Sequence, residues 1–473
     1  MGMSLNMVIR VRLINRPGTL AGVLNAIARE GGSVGAIELI SASPTQLIRD
    51  IMVRLQGRDT IGGLVSALGQ IPGVNVVHVA DRVYNRHLGG KIEIMPKKPV
   101  TDWEDLSLVY TPGVARISEA IARDPGLAYR LTMKGNSVAI VTDGSAVLGL
   151  GNLGAAAALP VMEGKALLFK KFSGIDAFPI CLDTQDTDQI ISVVAALAPA
   201  FGGINLEDIA APRCFEIEER LSTILDIPVF HDDQHGTAIV ALAGLINALK
   251  VVEKDLRKVR VTMSGAGAAG MAITKMLISA GARDIIVCDR KGAISRENPP
   301  TDPAKAWLAQ NTNGKGVRGT LKEVLRGADV FIGVSAPGLL SREDIVNMAE
   351  KPVVFALANP EPEINPEDIY DIAGVIATGR SDYPNQINNA LAFPGVFRGA
   401  LDCRALTVND EMCLAAAHAL AGVVDAGHLS AEDIIPSVFN EEVAPAVARA
   451  VEEAARRTGV VREMPESVVD LKG

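Results

Sequence analysis

The chain has 473 residues, of which 48% are hydrophobic and 21% charged, enough for about three domains at roughly 150 residues each. That apolar content excludes low-complexity disorder and a collagen-like repeat, and a net charge of −9 argues against a nucleic-acid partner, because neutralising phosphates takes a basic face. The five cysteines, Cys181, Cys214, Cys288, Cys403 and Cys413, are widely spaced with no CxxC pair, which excludes a disulfide framework and fits a reducing compartment.

The opening stretch places Arg10 and Arg12 inside its apolar run and lacks a small-residue cleavage site, so no signal peptide is expected. Weakly polar runs such as residues 190–204 are too short to span a bilayer. A cytoplasmic protein with no membrane partner is the expectation. Residues 7–14 alternate as a strand, with Met7, Ile9, Val11 and Leu13 on one face. The turn Asn15-Arg16-Pro17-Gly18 follows, and Thr19 opens a helix whose Leu20, Val23, Leu24 and Ile27 fall at i, i+3, i+4, i+7. Strands over 33–41 and 45–56, with Arg49 the exception on the apolar face of the second, lead to a helix (Ile61, Leu64, Val65, Leu68) and a strand over 74–80. The order β-α-β-β-α-β predicts a ferredoxin-like module over residues 1–84.

This module resembles an ACT domain, the match being the strand–turn–helix with Arg16-Pro17-Gly18. The resemblance implies pairing across a two-fold and an amino-acid or other small effector. Asn15 stands where many ACT domains carry an acidic residue that holds the ligand's amino group. A dimerisation or packing module is the other reading.

A Gly-, Pro- and Lys-bearing linker over 85–103 gives way to alternating strands and helices. Apolar runs at 138–141, 166–169 and 227–230 predict buried parallel strands, the last placed so that Pro228 sits near its start. A long apolar helix over 237–252 leads to a second α/β unit. After residue 385 the chain turns helical.

In that second unit a strand over 257–263 runs into Gly265-Ala266-Gly267-Ala268-Ala269-Gly270, then a helix over 271–280, then a strand over 285–288 ending at Asp289. Gly265 permits the tight turn, Gly267 lets backbone approach a pyrophosphate, and Gly270 lets helix and strand pack closely, with the phosphates at the helix's positive end. Asp289, nineteen residues beyond Gly270, is placed to hold ribose hydroxyls and favours NAD, since a 2′-phosphate would meet a like charge. Arg290 and Lys291 follow it and suit NADP. The stretch Phe331–Gly338, with Val334 and Ser335, reads as a strand-end loop beside the nicotinamide half.

A second constellation is acidic: Glu207-Asp208 close one predicted strand, and His231-Asp232-Asp233-Gln234-His235 open the long helix. Four carboxylates gathered in an interior repel unless a cation holds them, and oxygen ligands suit Mg²⁺ or Mn²⁺. Helix capping accounts for one carboxylate, not four. His231 and His235, spaced i, i+4, are a rival half of a zinc site, without an HExxH pattern. A third group pairs Tyr110, at the turn before Thr111-Pro112-Gly113, with Lys165, at the entry to the predicted strand 166–169. Partly desolvated and beside a dication, such a lysine gains in its neutral form and can act as a base near pH 7.

The segments VYTPGVA, TDGSAVLGLGNLG, PVMEGKALLFKKFSGID, INLEDI, PVFHDDQHGTA, FALANPEPEI and NQINNALAFPGVFRGAL, with the glycine loop between them, stand in one order. Over about residues 95–460 the chain resembles malic enzymes of the short bacterial type. The resemblance implies metal-dependent oxidative decarboxylation of malate to pyruvate and CO₂ with NAD or NADP reduced, in a homo-oligomer, a dimer or larger. By position it implies Tyr110 as general acid, Lys165 as general base, and Glu207, Asp208 and Asp233 as ligands of Mg²⁺ or Mn²⁺, Asp232 being the less favoured of its pair. Asn359 and Asn389 match substrate contacts, Asn359 also bordering the dinucleotide. The large eukaryotic enzymes place a carboxylate-clamping arginine shortly after TDG. Here Ser145 and Ala146 occupy that stretch, and Ser145 is the candidate. The expected class is α/β: a substrate domain over 89–236 completed by 386–473, a Rossmann-like domain inserted over 237–385, and the site in the cleft. Malolactic conversion, oxaloacetate decarboxylation, and an amino-acid sensor built on a degenerate enzyme body are the alternatives.

Overall fold

Alternation along the first strand becomes a buried row in the computed structural model: Met7, Ile9, Val11 and Leu13 are at most 5% exposed. The structure describes residues 4–57, 60–297 and 302–462 and divides into two compact units, Met1–Ile94 and Met95–Gly473. In the first, β1 (Ser4–Ile14), β2 (Ser33–Ala42), β3 (Gln46–Gln56) and β4 (Val74–Asp81) form an antiparallel sheet in the order β2-β3-β1-β4. Two helices, Thr19–Arg29 and Thr60–Gly69, bury Val23, Ile27, Leu64 and Leu68 against the row from β1 and Ile51, Val53 and Leu55 of β3. On the opposite face Arg10 grips Asp50 with two hydrogen bonds of 2.7 and 2.8 Å. Arg49, the odd residue of the apolar row, is half-buried with an unpartnered Nε. Asn15 donates to the Ser43 carbonyl at 3.1 Å, tying the first turn to the β2–β3 turn. Asp81 caps a short helix, Arg82–His87, so this unit runs past residue 84.

The second unit holds two parallel-type sheets. β5 (Ser137–Thr142), β6 (Asp176–Cys181), β7 (Gly203–Leu206) and β8 (Val229–His231) are all parallel, in the order β6-β5-β7-β8. Every residue of β5, β7 and β8 is buried, as sheets covered on both faces require. Pro228 precedes β8 and accepts from Ile204 N through its carbonyl. One predicted strand is corrected: residues 166–169 lie inside a helix, Ala155–Ser173. Its buried Met162, Lys165, Ala166 and Phe169 stand at i, i+3, i+4, i+7, a helical stripe that a four-residue apolar run does not reveal.

The other sheet joins β9 (Arg260–Ser264), β10 (Asp284–Asp289), β11 (Gly292–Ala293), β12 (Val330–Gly333), β13 (Val353–Ala356) and β14 (Val375–Thr378) in the order β11-β10-β9-β12-β13-β14, with only β11 antiparallel. The chain then returns to the first sheet's side through helices Phe393–Asp402, Asp410–Gly422 and Val443–Arg457. Phe169 lies between Phe393 and Phe397, ring centroids 4.6 and 5.3 Å away. Arg398 donates to Asn136 at 2.7 Å and Arg462 pairs with Asp226 at 2.7 Å. Among the described residues no helix is long and apolar enough to cross a membrane.

Candidate active site

β7 and β8 are neighbours in register, Leu206 opposite His231, so the residues that follow each strand leave the sheet side by side. Glu207 and Asp208 follow β7. Asp232 and Asp233 follow β8 as the first turn of helix Asp232–Val251, which starts five residues before the predicted 237 because the acids themselves suit a helix N-terminus. The helix Ala155–Ser173 brings Lys165 to the same place. Its Nζ lies 2.5 Å from Asp232 Oδ2 and 2.9 Å from Glu207 Oε1, and 4.4 Å from the centre of the Phe393 ring. Gly236 is required beneath this contact, since a Cβ there would overlap the Asp232 carboxylate.

Glu207, Asp208 and Asp233 each offer a carboxylate oxygen, all within 4.8 Å of one another. Asp208 adopts the left-handed region with φ 53°, which an aspartate tolerates better than a branched residue. Its Oδ2 is buried with no hydrogen-bond partner, while its N–H donates to Asp233 Oδ2 at 2.9 Å. Burial first, then the charges of Asp233 and Glu207, push the Asp208 carboxyl from 3.8 up to about 8. Burial likewise raises Glu207 and Asp233. An unpartnered buried oxygen, mutual repulsion and an all-oxygen donor set fit a hard divalent cation such as Mg²⁺ or Mn²⁺.

With no cation in the cluster, Lys165 is held as an ammonium. Burial alone would lower it, but Asp232 and Glu207, with Asp233 behind them, hold the ammonium well above the ordinary lysine range. Tyr110 is not gathered into the cluster. It ends the helix Trp103–Val109 and is 66% exposed. His231 and His235 do not form half a metal site: His235 Nε2 pairs with Glu218 at 2.9 Å, and both ring nitrogens of His231 are buried without a partner. Glu218 also accepts from His231 N and Gln234 Nε2, both at 2.9 Å, so one half-buried carboxylate braces the turn that carries Asp232 and Asp233.

Ser145 is committed to loop structure. Its hydroxyl donates to Asp143 at 2.5 Å and accepts from Ala210 N at 2.9 Å and Arg213 Nη2 at 3.0 Å. Arg213, which also reaches Asp143 at 2.6 Å, is the cation of this loop, and nothing local in the sequence singles it out. Asn389 lies beside the same turn, its Cβ 3.2 Å from a Cβ placed on Gly236, and Asn359 abuts Gly149 and Gly379.

The glycine loop joins β9 to helix Ala268–Ser279. Gly265 has φ 117°, closed to other residues, and a Cβ on Gly270 would overlap the Gly265 carbonyl. Gly267 is open, with nothing within 4 Å of a Cβ placed there, and no side chain caps the amides that follow, Ala268, Ala269 and Gly270. Those free N–H groups are an anion seat. Ser264 and Ser335 hydroxyls meet at 2.7 Å, and the Val334 carbonyl lies 2.8 Å from a Cβ on Gly265, so Val334 and Ser335 wall the turn. Asp289 ends β10. Its Oδ1 accepts from Lys291 N at 2.8 Å and its Oδ2 pairs with Lys305 at 2.8 Å, a partner the sequence did not mark, while Arg290 is exposed. A cavity of about 720 Å³, walled by Phe215, Glu218, His235, Met271, Trp307 and Asp410 among others, lies behind the acidic turn and includes none of the clustered carboxylates.

Comparison with known proteins shows the family. The family description "Malic enzyme, N-terminal domain" matches residues 89–222, "Malic enzyme, NAD binding domain" residues 234–456, and "ACT domain" residues 7–73. The NAD-dependent malic enzyme of Geobacillus stearothermophilus is 56% identical over 462 residues, 98% of this chain and 97% of that one. The bifunctional malic/malolactic enzyme of Bacillus subtilis is 56% identical over 80% of this chain and 94% of its own. The crystal structure of malic enzyme from Pyrococcus horikoshii superposes with a TM-score of 0.76 at 51% identity, over 80% of this chain and 89% of that one. With both halves of its second unit matched and one relative aligned along nearly its whole length, the chain belongs to the malic enzyme family and carries an ACT domain at its N-terminal side.

Proposed function

We propose that this protein oxidises and decarboxylates malate to pyruvate and CO₂ at the carboxylate–lysine cluster, reducing a nicotinamide dinucleotide seated on the glycine loop. The observation that carries the reading is Lys165 Nζ lying 2.5 Å from Asp232 and 2.9 Å from Glu207, beside three carboxylates that converge within 4.8 Å. Glu207, Asp208 and Asp233 would hold Mg²⁺ or Mn²⁺, which when bound polarises the hydroxy acid and offsets the negative charge left as CO₂ departs. The dinucleotide supplies the hydride acceptor.

The chain's own groups do the rest. Engaging Glu207 and Asp233 as ligands removes two of the three charges that keep Lys165 protonated, so the amine becomes able to accept the proton of the C2 hydroxyl. Asp232, already hydrogen-bonded to it, orients the amine. Tyr110 delivers a proton to C3 once its exposed segment is covered. Asn359 and Asn389 bind and orient malate. The segment around Tyr110 leaves Trp103 85% and Leu108 68% exposed, an apolar face of the kind subunit contacts cover, which supports a homo-oligomer. The free cysteines support a cytoplasmic setting. The ACT unit is assigned to a small effector, amino acid or other.

The test is the absorbance of reduced dinucleotide on adding malate and Mn²⁺ with NAD or NADP, with and without chelator. Cation-dependent accumulation of reduced cofactor and pyruvate is expected. Lactate without reduced cofactor would move the reading to malolactic conversion, which the name of the Bacillus subtilis relative favours as a second activity.

NAD is the proposed preference, because Asp289 ends β10 where ribose hydroxyls would sit. Lys305, which neutralises Asp289, is the cation able to turn to a 2′-phosphate. Lys305→Ala is expected to lower kcat/KM for NADP by about 10- to 100-fold, the worth of one charged hydrogen bond, and to leave NAD within about threefold. Parallel initial rates with both cofactors check it.

A further inference from the structure

Glu363 stands four residues beyond Asn359 in the segment FALANPEPEI, and neither the metal cluster nor the glycine loop accounts for it. It is 0% exposed. Its two carboxylate oxygens each take one backbone N–H, Oε1 from Ser335 at 2.9 Å and Oε2 from Ala358 at 3.0 Å. These amides belong to different loops: Ser335 follows β12 and Ala358 follows β13, neighbours in the sheet. The Glu363 carbonyl accepts from Leu340 N at 3.0 Å, and that of Pro362 from Gly338 N at 3.0 Å, so one short stretch pins the loop after β12 along its length. Gly333 is bare for this reason, since a Cβ there would lie 2.5 Å from Oε1. Burial raises the Glu363 carboxyl, and the amide hydrogen bonds work against that shift.

Each pinned loop carries a residue that the proposed function places beside the dinucleotide or malate. Ser335 touches Ser264 at the mouth of the glycine turn, and Asn359 follows Ala358 directly. A buried carboxylate accepting two N–H groups is stiffer than a neutral link, because each bond is charge-assisted and neither amide has water to turn to. We propose that Glu363 is a positioning residue for hydride transfer, its carboxylate locking the loop after β12 to the loop after β13 so that Ser335 and Asn359 frame the nicotinamide and malate at a fixed separation. The inference rests on the proposed oxidation of malate, which wild-type turnover tests separately; the variants are read against wild type.

Glu363→Gln keeps volume but turns an NH₂ toward one of the two donors. Glu363→Asp keeps both oxygens on a shorter stem, and Gly333→Ala presses on the carboxylate from behind. In each folded variant NADH affinity, read by fluorescence titration without turnover, is expected to weaken about tenfold, the scale of one charged hydrogen bond lost. The isotope effect on kcat with malate deuterated at C2 is expected to rise, while Mn²⁺ affinity stays within about twofold. A purely structural role would lower the melting temperature and leave both the NADH affinity and the isotope effect of the folded fraction at wild-type values. That result in any one folded variant overturns the inference.

Discussion

Lys165→Ala is expected to lower kcat by about 10²- to 10⁴-fold, the usual worth of a positioned proton acceptor, while NADH affinity stays within about threefold of wild type. The loss has two separable parts. Chemistry loses the amine next to the C2 hydroxyl. The fold loses the partner of Asp232, whose Oδ1 is already unpartnered and whose Oδ2 depends on Lys165; breaking a buried pair from one side costs about 3–5 kcal/mol. Adding Asp232→Asn should therefore recover much of the lost stability in chemical denaturation without recovering activity. Methylamine, small enough for the vacated space over Phe393, should restore part of kcat in Lys165→Ala alone. Turnover within tenfold of wild type in that variant would remove Lys165 from the mechanism.

Asp208→Asn carries the second large effect, and it reads the carboxylate cluster directly. Asparagine accepts the left-handed backbone of this position, so the change removes charge with little strain. In protein stripped of divalent cation the Asp208 carboxyl titrates near 8 folded against 3.8 as its ordinary value. The folded state thus binds that proton more tightly than the unfolded one, and stability falls as pH rises from about 4 to about 8. In chelator the variant should lose less stability than wild type over this window. At pH 8 with Mn²⁺ the order should reverse, wild type gaining stability by ligand linkage and the variant gaining little, with activity down more than about 100-fold. Melting curves across pH with and without Mn²⁺ decide it; equal Mn²⁺ stabilisation in both proteins would mean Asp208 is no ligand.

What could be read in advance follows the reach of each signal. Alternation in β1, the helical spacing of Leu20–Ile27 and the glycine turn into helix Ala268–Ser279 are local patterns, and the structure places them where the sequence did. The acids of the site were legible because each pair directly follows a buried strand. The Lys165–Asp232 contact spans 67 residues of chain and leaves no trace in either segment, so the ion pair that holds the lysine charged in the cation-free cluster is not legible in either. The difference at 166–169 has the same root: the helical stripe Met162–Lys165–Ala166–Phe169 has a lysine at its centre, and only its partners show that position to be interior. Tyr110 was recognisable by motif alone, and its exposure depends on packing that no neighbouring residue encodes. Lys305 and Glu363 carry no local signal, because their roles lie in what they hold across the sheet's end.

The return of the chain to its starting sheet has a consequence for biosynthesis. Phe169, on helix Ala155–Ser173, is covered by Phe393 and Phe397, and Phe393–Asp402 is in turn packed by Val443–Arg457, far along the chain from Phe169. On the ribosome the helix bearing Lys165 emerges well before Phe393–Asp402 and Val443–Arg457, and its apolar stripe stays unshielded until those helices follow. Nascent chains of this protein should therefore engage holding chaperones between the emergence of the first of these helices and that of the last two.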